Sequence, residues 1–401
     1  MKLLFAHDRF GAQAGAESNL YHTAREMKRR GHTVGIMYEM NTNTGEEKWK
    51  QLFKYRFPIT GAGMRVAAAK ALSSFKPDLV YLHNTSDLSL LEALAKGEMP
   101  VIRMVHDHNL FCLRGCKYPH WSRRPCTRAL GPYCVFPCGG VVRRHSEQRN
   151  RLEWVSYSKK VKELELNKQF DRVIVASKYM RDELIRNGFK SDRIEMHAPV
   201  PPALETTTVP SFSVRNRIVY AGQIVRGKGV DVLLKSLAQV KSPFVAIIVG
   251  DGHHRAYCET LASRLSLGGK VHFLGYLPQE ELISIYQDAS LAVVSSVWPE
   301  PFGATGLEAM RCGLPVVGFD AGGISEWLKD GENGFLVPWM DHTLYAERID
   351  SLLRDKAEAL RMGQNGRRIA LEQFGFEKYI DDLEQLFSSV FKESQGKLVC
   401  A

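Results

Sequence analysis

Between Val297 and Glu326 the chain reads VWPEPFGATGLEAMRCGLPVVGFDAGGISE, and this stretch leaves few ways to fold. Pro299 and Pro301 fix their own φ and restrict the residue before each, so Trp298 to Pro301 is a rigid, non-helical entry. Phe302-Gly303-Ala304-Thr305 then turns into a short helix predicted over Gly306–Arg311, which Gly313 and Pro315 stop. Val316-Val317-Gly318-Phe319 has the unbroken apolar character of a buried strand. Gly322-Gly323 turns the chain into another short helix carrying Glu326. Such an order of turn, helix and buried strand belongs to an α/β unit.

Two carboxylates, Glu300 and Glu308, flank a glycine at the predicted helix N-terminus. Unpaired N–H groups and a partial positive charge at such a terminus suit a diphosphate. A carboxylate one turn into the helix can accept hydrogen bonds from a ribose diol, and the one before it can reach the hydroxyls of an attached sugar. Two glutamates alone would be ordinary surface acids. The whole string, however, resembles the signature of retaining glycosyltransferases of family 4: Glu, seven residues, Glu, with Pro-Phe-Gly between and Gly-Gly-x-x-Glu following.

A length of 401 residues suggests two domains. No apolar run reaches the ~20 residues that span a bilayer. The opening MKLLFAHDRF is interrupted by charge too soon for a signal peptide, so it reads as a first strand and the protein as cytoplasmic. Charge is uneven: residues 1–200 hold 34 Lys and Arg against 20 Asp and Glu, whereas residues 201–401 hold 20 against 24. A basic half with no nucleic-acid motif points to an anionic membrane surface or an anionic acceptor.

In the first half, strands are predicted at Leu3–Ala6, Thr33–Met37, Asp78–Leu82, Pro100–Val105, Val173–Ser177 and Arg193–Met196, with helices at Ser18–Arg30 and Lys178–Asn187. This opening is Rossmann-like but lacks G-x-G-x-x-G, which argues against NAD. Lys48 to Phe57 mixes Lys and Arg with Trp49, Phe53, Tyr55 and Phe57, and is either an amphipathic packing surface or an interfacial one. Polar residues follow two strand ends, His83-Asn84 and His106-Asp107-His108, where ligand crevices form. Cys112, Cys116, Cys126, Cys134 and Cys138 crowd into 27 residues among Arg114, Lys117, Arg123, Arg124 and Arg128. They are either a structural zinc set or free thiols packing a loop. Arg143 to Lys168 is predicted as one long charged helix, and Pro199 to Pro210 as the inter-domain linker.

The second half starts with strand Arg217–Ala221, which runs into Gly222-Gln223-Ile224-Val225-Arg226-Gly227-Lys228-Gly229 before a helix from Val230. A glycine loop in this place cradles phosphate, and Lys228 can neutralise it. The loop is similar to the family's Gly-Arg-…-Lys-Gly, with Gln223 where the Arg usually stands. Strands at 246–249, 271–276 and 291–295, Phe335–Val337, and helices from Leu344 and Phe376 complete the pattern.

The resemblance implies the α/β GT-B architecture, two Rossmann-like domains facing each other across a cleft. The acceptor domain would be 1–200, rejoined by a last helix at 376–395, and the donor domain 201–375. It implies a retaining transfer from a nucleotide sugar (UDP-, GDP- or ADP-linked) to a glycan, lipid-linked or other hydroxyl acceptor, with no metal needed for catalysis. His106, Asp107, Glu300 and Lys228 would be catalytic. Donor contacts would come from Gly15, Gly222, Gln223, Arg226, Lys228, Gly250, Tyr276, Glu300, Phe302, Gly303, Ala304, Thr305 and Glu308. Two alternatives stand: a sugar-nucleotide epimerase on the same fold, and a non-catalytic, metal-containing binding protein.

Overall fold

The computed structural model describes residues 1–11, 15–59, 64–119, 122–144, 152–200, 202 and 215–399. The predicted linker lies outside these apart from Pro199, Val200 and Pro202. The chain forms two compact units: Met1–Lys117, Thr127–Pro202 and Phe376–Ala401 make the first, and Tyr118–Cys126 with Ala203–Gly375 the second.

In the first unit the strands are β1 (Lys2–Phe10), β2 (Thr33–Asn41), β3 (Tyr55–Pro58), β4 (Leu79–Leu82), β5 (Val101–Val105), β6 (Val142–Arg144), β7 (Leu152–Trp154), β8 (Arg172–Val175) and β9 (Ile194–Met196). Its helices are α1 (Gly15–Arg29), α2 (Glu46–Leu52), α3 (Met64–Phe75), α4 (Leu88–Ala95), α5 (Tyr157–Asn167) and α6 (Lys178–Arg186). Seven of the strands form a parallel sheet in the order β3-β2-β1-β4-β5-β8-β9. The central strands β1, β4 and β5 are mostly apolar and buried, as strands covered on both faces are. Asp87 and Ser177 cap α4 and α6, accepting from Leu90 N at 2.8 Å and Met180 N at 3.2 Å.

The second unit adds β10 (Arg217–Ala221), β11 (Val245–Val249), β12 (Val271–Gly275), β13 (Leu291–Val294), β14 (Val316–Phe319) and β15 (Gly334–Val337). Its helices are α7 (Val230–Leu237), α8 (Arg255–Arg264), α9 (Gln279–Gln287), α10 (Ala304–Arg311), α11 (His342–Arg354) and α12 (Lys356–Glu372). The sheet is again parallel, in the order β12-β11-β10-β13-β14-β15. Both sheets reverse direction of growth beside their first strand, and at that reversal a doubly wound sheet opens a crevice.

The last helix, α13 (Phe376–Val399), belongs to the first unit. Its Tyr379, Ile380, Leu383, Phe387 and Val390 are buried in one core with Leu3, Phe5 and Leu20. Arg30 holds its polar side through Asp381 at 2.6 Å and Glu384 at 2.8 Å.

Two expectations change. The long helix expected from Arg143 to Lys168 is not seen among the described residues: β6 and β7 pair as an antiparallel ribbon, and of those residues only α5 is helical. Charge density is no helix signal, whereas Ser156 is a true N-cap that accepts from Lys159 N at 3.3 Å. The first helix starts at Gly15 rather than Ser18. Within Lys48 to Phe57, Trp49 and Phe53 are core residues packed with Phe10 and Phe5, as a packing surface requires, while Lys50, Lys54, Tyr55 and Arg56 are exposed.

Candidate functional site

In the second unit the reversal point lies between β10 and β13, which pair directly. The loops leaving their carboxyl ends therefore touch. Val297 N and Trp298 N both donate to Gly227 O, at 2.9 and 3.0 Å, and Ser295 Oγ donates to Lys228 O at 2.9 Å. The glycine loop holds its shape because Gly250 sits against Gly222: a Cβ on Gly250, whose φ is +129°, would stand 1.9 Å from the Gly222 carbonyl oxygen.

Glu300 is the electrostatic centre of this loop pair. It is buried, and its Oε1 accepts from Lys228 Nζ at 2.6 Å, from Trp298 Nε1 at 2.8 Å and from Ser296 Oγ. Its Oε2 has no partner among the described residues. The backbone is pinned as well, with Glu300 N donating to Ala321 O and Gly323 N to Glu300 O. The Gly-Gly turn after β14 thus positions the first glutamate of the pair. Lys228 and Glu300, expected on different parts of a donor, meet here as one ion pair. Ser296 and the Trp298 indole are site residues that sequence reasoning missed. Pairing of β10 with β13 brings them to Lys228, a contact that no local pattern carries.

Glu308 lies one turn into α10, half-buried, and burial raises its pKa while Arg311 opposes the rise. Among the described residues its carboxylate accepts no hydrogen bond. Gly303, at φ +80°, starts α10, leaving the N–H groups of Ala304 and Thr305 at the helix end. Trp327 braces this end from below. Its Nε1 donates to Phe302 O at 2.7 Å, and its ring fills the space a Cβ on Gly306 would need, 2.1 Å away. Gln223 and Arg226 are exposed, and Tyr276 is 80% exposed at the end of β12. The segment Tyr118–Cys126 packs in this unit, where Arg123 makes a buried fork to Asp231 at 3.1 and 2.8 Å at the start of α7.

In the first unit, β1, β4 and β5 are neighbours, so His7, His83 and His106 come together. His83 Nδ1 and His106 Nε2 are 2.9 Å apart, with stacked rings. Burial, with His7 and Arg103 nearby, lowers the pKa of His106 to about 3, so the ring is neutral. His106 and Asp107 line a cavity of about 450 Å³ together with Arg103, Arg143, Glu17 and Glu163. Asp107 accepts from Asn109 N and Nδ2, both at 2.7 Å, while burial raises its pKa. Arg103 is buried and donates to the carbonyls of His83 and Thr85, fixing the loop beside His106. Gly15 opens α1, with open space where a side chain would stand.

Among the described residues no three His, Cys, Asp or Glu side chains gather as metal ligands. Cys138 instead meets Arg114, whose Nε lies 3.4 Å from its Sγ. Lys117 is internal too, paired with Glu183 at 2.8 Å. Among the described residues no helix is long and apolar enough to cross a membrane.

Residues 209–369 match the family model of glycosyl transferases group 1, and residues 14–198 that of Glycosyltransferase Family 4. An uncharacterized glycosyltransferase of Methanocaldococcus jannaschii is 24% identical over 289 residues, covering 71% of this chain and 74% of that protein. The D-inositol 3-phosphate glycosyltransferase of Corynebacterium urealyticum is 33% identical over 183 residues, 43% of each chain. Among solved structures, Anabaena HepE in complex with UDP and glucose superposes with a TM-score of 0.72, covering 97% of this chain and 100% of that one at 22% identity. With a family model on each Rossmann-like unit, the chain belongs to the GT-B glycosyltransferases of the group 1 and family 4 kind.

Proposed function

We propose that this protein is a retaining glycosyltransferase that moves a hexosyl unit from a nucleotide sugar to a hydroxyl acceptor in the synthesis of a cell-envelope glycan or exopolysaccharide. The observation that carries the reading is the pairing of Lys228 with Glu300 beside the start of α10, with Glu308 one turn further on accepting no hydrogen bond among the described residues. Uridine is the base to test first, because HepE is described in complex with UDP and with UDP-glucose.

In this reading the diphosphate lies against Lys228 and the N–H groups at the start of α10, with Gln223 and Arg226 at its edge. Preorganised cations and N–H groups stabilise the charge that develops on a leaving diphosphate. Glu308 accepts the ribose hydroxyls, and the open Oε2 of Glu300 accepts from the donor sugar. Departure of the diphosphate on the face where the acceptor attacks lets it take the acceptor proton, so no enzyme nucleophile is required. A neutral His106 can exchange hydrogen bonds with a sugar hydroxyl without adding charge.

The test is incubation with UDP-, GDP- and ADP-sugars, with and without lipid-linked or polysaccharide acceptors, followed by NMR of the anomeric proton of the product. Acceptor-dependent release of nucleotide and an unchanged anomeric configuration are expected. Inversion would overturn the retaining assignment. A donor sugar altered without acceptor would identify an epimerase instead.

A further inference from the structure

The ribbon of β6 and β7 has two chemically different faces. Val142 lies opposite Trp154 and Arg143 opposite Glu153. Side chains alternate along a strand, so Leu152 and Trp154 share one face and Glu153 takes the other. On the polar face Arg143 Nε and Nη2 reach the two Glu153 oxygens at 3.2 Å, and Arg143 also lines the cavity that holds His106. The opposite face presents Trp154, 79% exposed, and Leu152, 65% exposed.

The loop that feeds the ribbon adds Phe136, 85% exposed, and the partly exposed Val135. Gly140 N donates to Cys134 O and Val155 N to Val141 O, both at 2.8 Å, so this loop is tied to the ribbon. Its surroundings are basic: among the described residues of 128–160 there are three Arg and two Lys against one Glu. Exposed Arg128 stacks on Tyr133 at 3.9 Å from the ring centre.

Exposed large aromatics beside cations are costly in water and fit the boundary of a bilayer. There the rings sit at headgroup depth and the cations meet anionic lipid. A second copy of the same basic face would be repelled, which disfavours self-association through it. We propose that the Trp154–Leu152 face, with Phe136, docks the first unit onto a membrane surface bearing anionic headgroups, which places the His106 cavity beside the lipid. This goes beyond the sugar chemistry and does not depend on it.

The full chain is to be sedimented with vesicles of phosphatidylcholine alone and of phosphatidylcholine with phosphatidylglycerol, at low and high salt. Binding is expected only with the anionic lipid and should weaken as salt rises. A triple variant, F136S/L152S/W154S, changes only exposed side chains. It should keep the wild-type melting temperature, and its partitioning should fall by roughly 10-fold or more for each large apolar side chain removed. Equal binding to neutral vesicles, no binding at low salt, or a variant that binds like the wild type would each overturn the proposal. So would light scattering that shows a wild-type dimer turned to monomer by the variant, because the face would then join copies of this chain.

Discussion

Glu308 and Lys228 are single side chains whose surroundings set what each substitution should do. Glu308 accepts no hydrogen bond among the described residues and sits where burial disfavours its charge. Such a group gains most from a ligand that donates to it. A charge-assisted hydrogen bond contributes about 1.5–3 kcal/mol, so Glu308→Ala should weaken nucleotide binding roughly 10- to 100-fold by calorimetric titration, and wild-type affinity would remove it from the ribose. Lys228 is held by Glu300 at 2.6 Å, whereas Arg226 is exposed. Lys228→Ala is therefore expected to lower turnover by about 10²–10³-fold, far more than Arg226→Ala in the same assay. His108 is fully buried, and burial with Lys117 nearby lowers its pKa to about 3. The unfolded chain binds a proton near pH 6.5 while the folded ring does not, so the stability His108 confers is complete above that pH. It is lost as pH falls from there towards the folded value. Between pH 7 and 5 this costs about 2 kcal/mol. Urea titrations at both pH values should show His108→Gln losing less stability over that interval than the wild type by about that amount.

Among the elements, those built on glycine and proline punctuation were legible. The turn into α10, the buried strand β14 and the loop from Gly222 to Gly229 were all read from residue order, because φ restrictions and strand apolarity act locally. What escaped depends on partners distant in the chain. Residues 143–168 are densely charged with no clear apolar period, and their ribbon is fixed by cross-strand pairing such as Arg143 with Glu153. The segment Tyr118–Cys126 looks like loop, yet its Arg123 is buried on Asp231, more than a hundred residues on. Breaking that fork strands a buried carboxylate at the start of α7, which costs about 3–5 kcal/mol. Arg123→Ala should therefore lower the denaturant midpoint of the second unit. A variant as stable as the wild type would make the fork incidental.

At the scale of the molecule, the two-sheet α/β plan was legible because strand and helix signals alternate along the whole chain, and the charge split of its halves needed only counting. The return of the last helix to the first unit came from the family resemblance alone, and the membership of Tyr118–Cys126 in the second was not legible, since it is decided by packing and not by order. Helix α13 contributes five buried apolar side chains to the core around Leu3 and Phe5. At about 1.5–3 kcal/mol each, their removal rivals the whole stability of a domain, about 5–15 kcal/mol. Limited proteolysis of a chain ending at Gly375 should accordingly digest the first unit while sparing the second. The same helix governs the order of events during synthesis. The ribosome delivers β1 long before α13, so the groove over Leu3 and Phe5 stays uncovered until residues near Val390 emerge. The second unit, though translated later, is the one able to finish folding while the nascent first unit still waits for its closing helix.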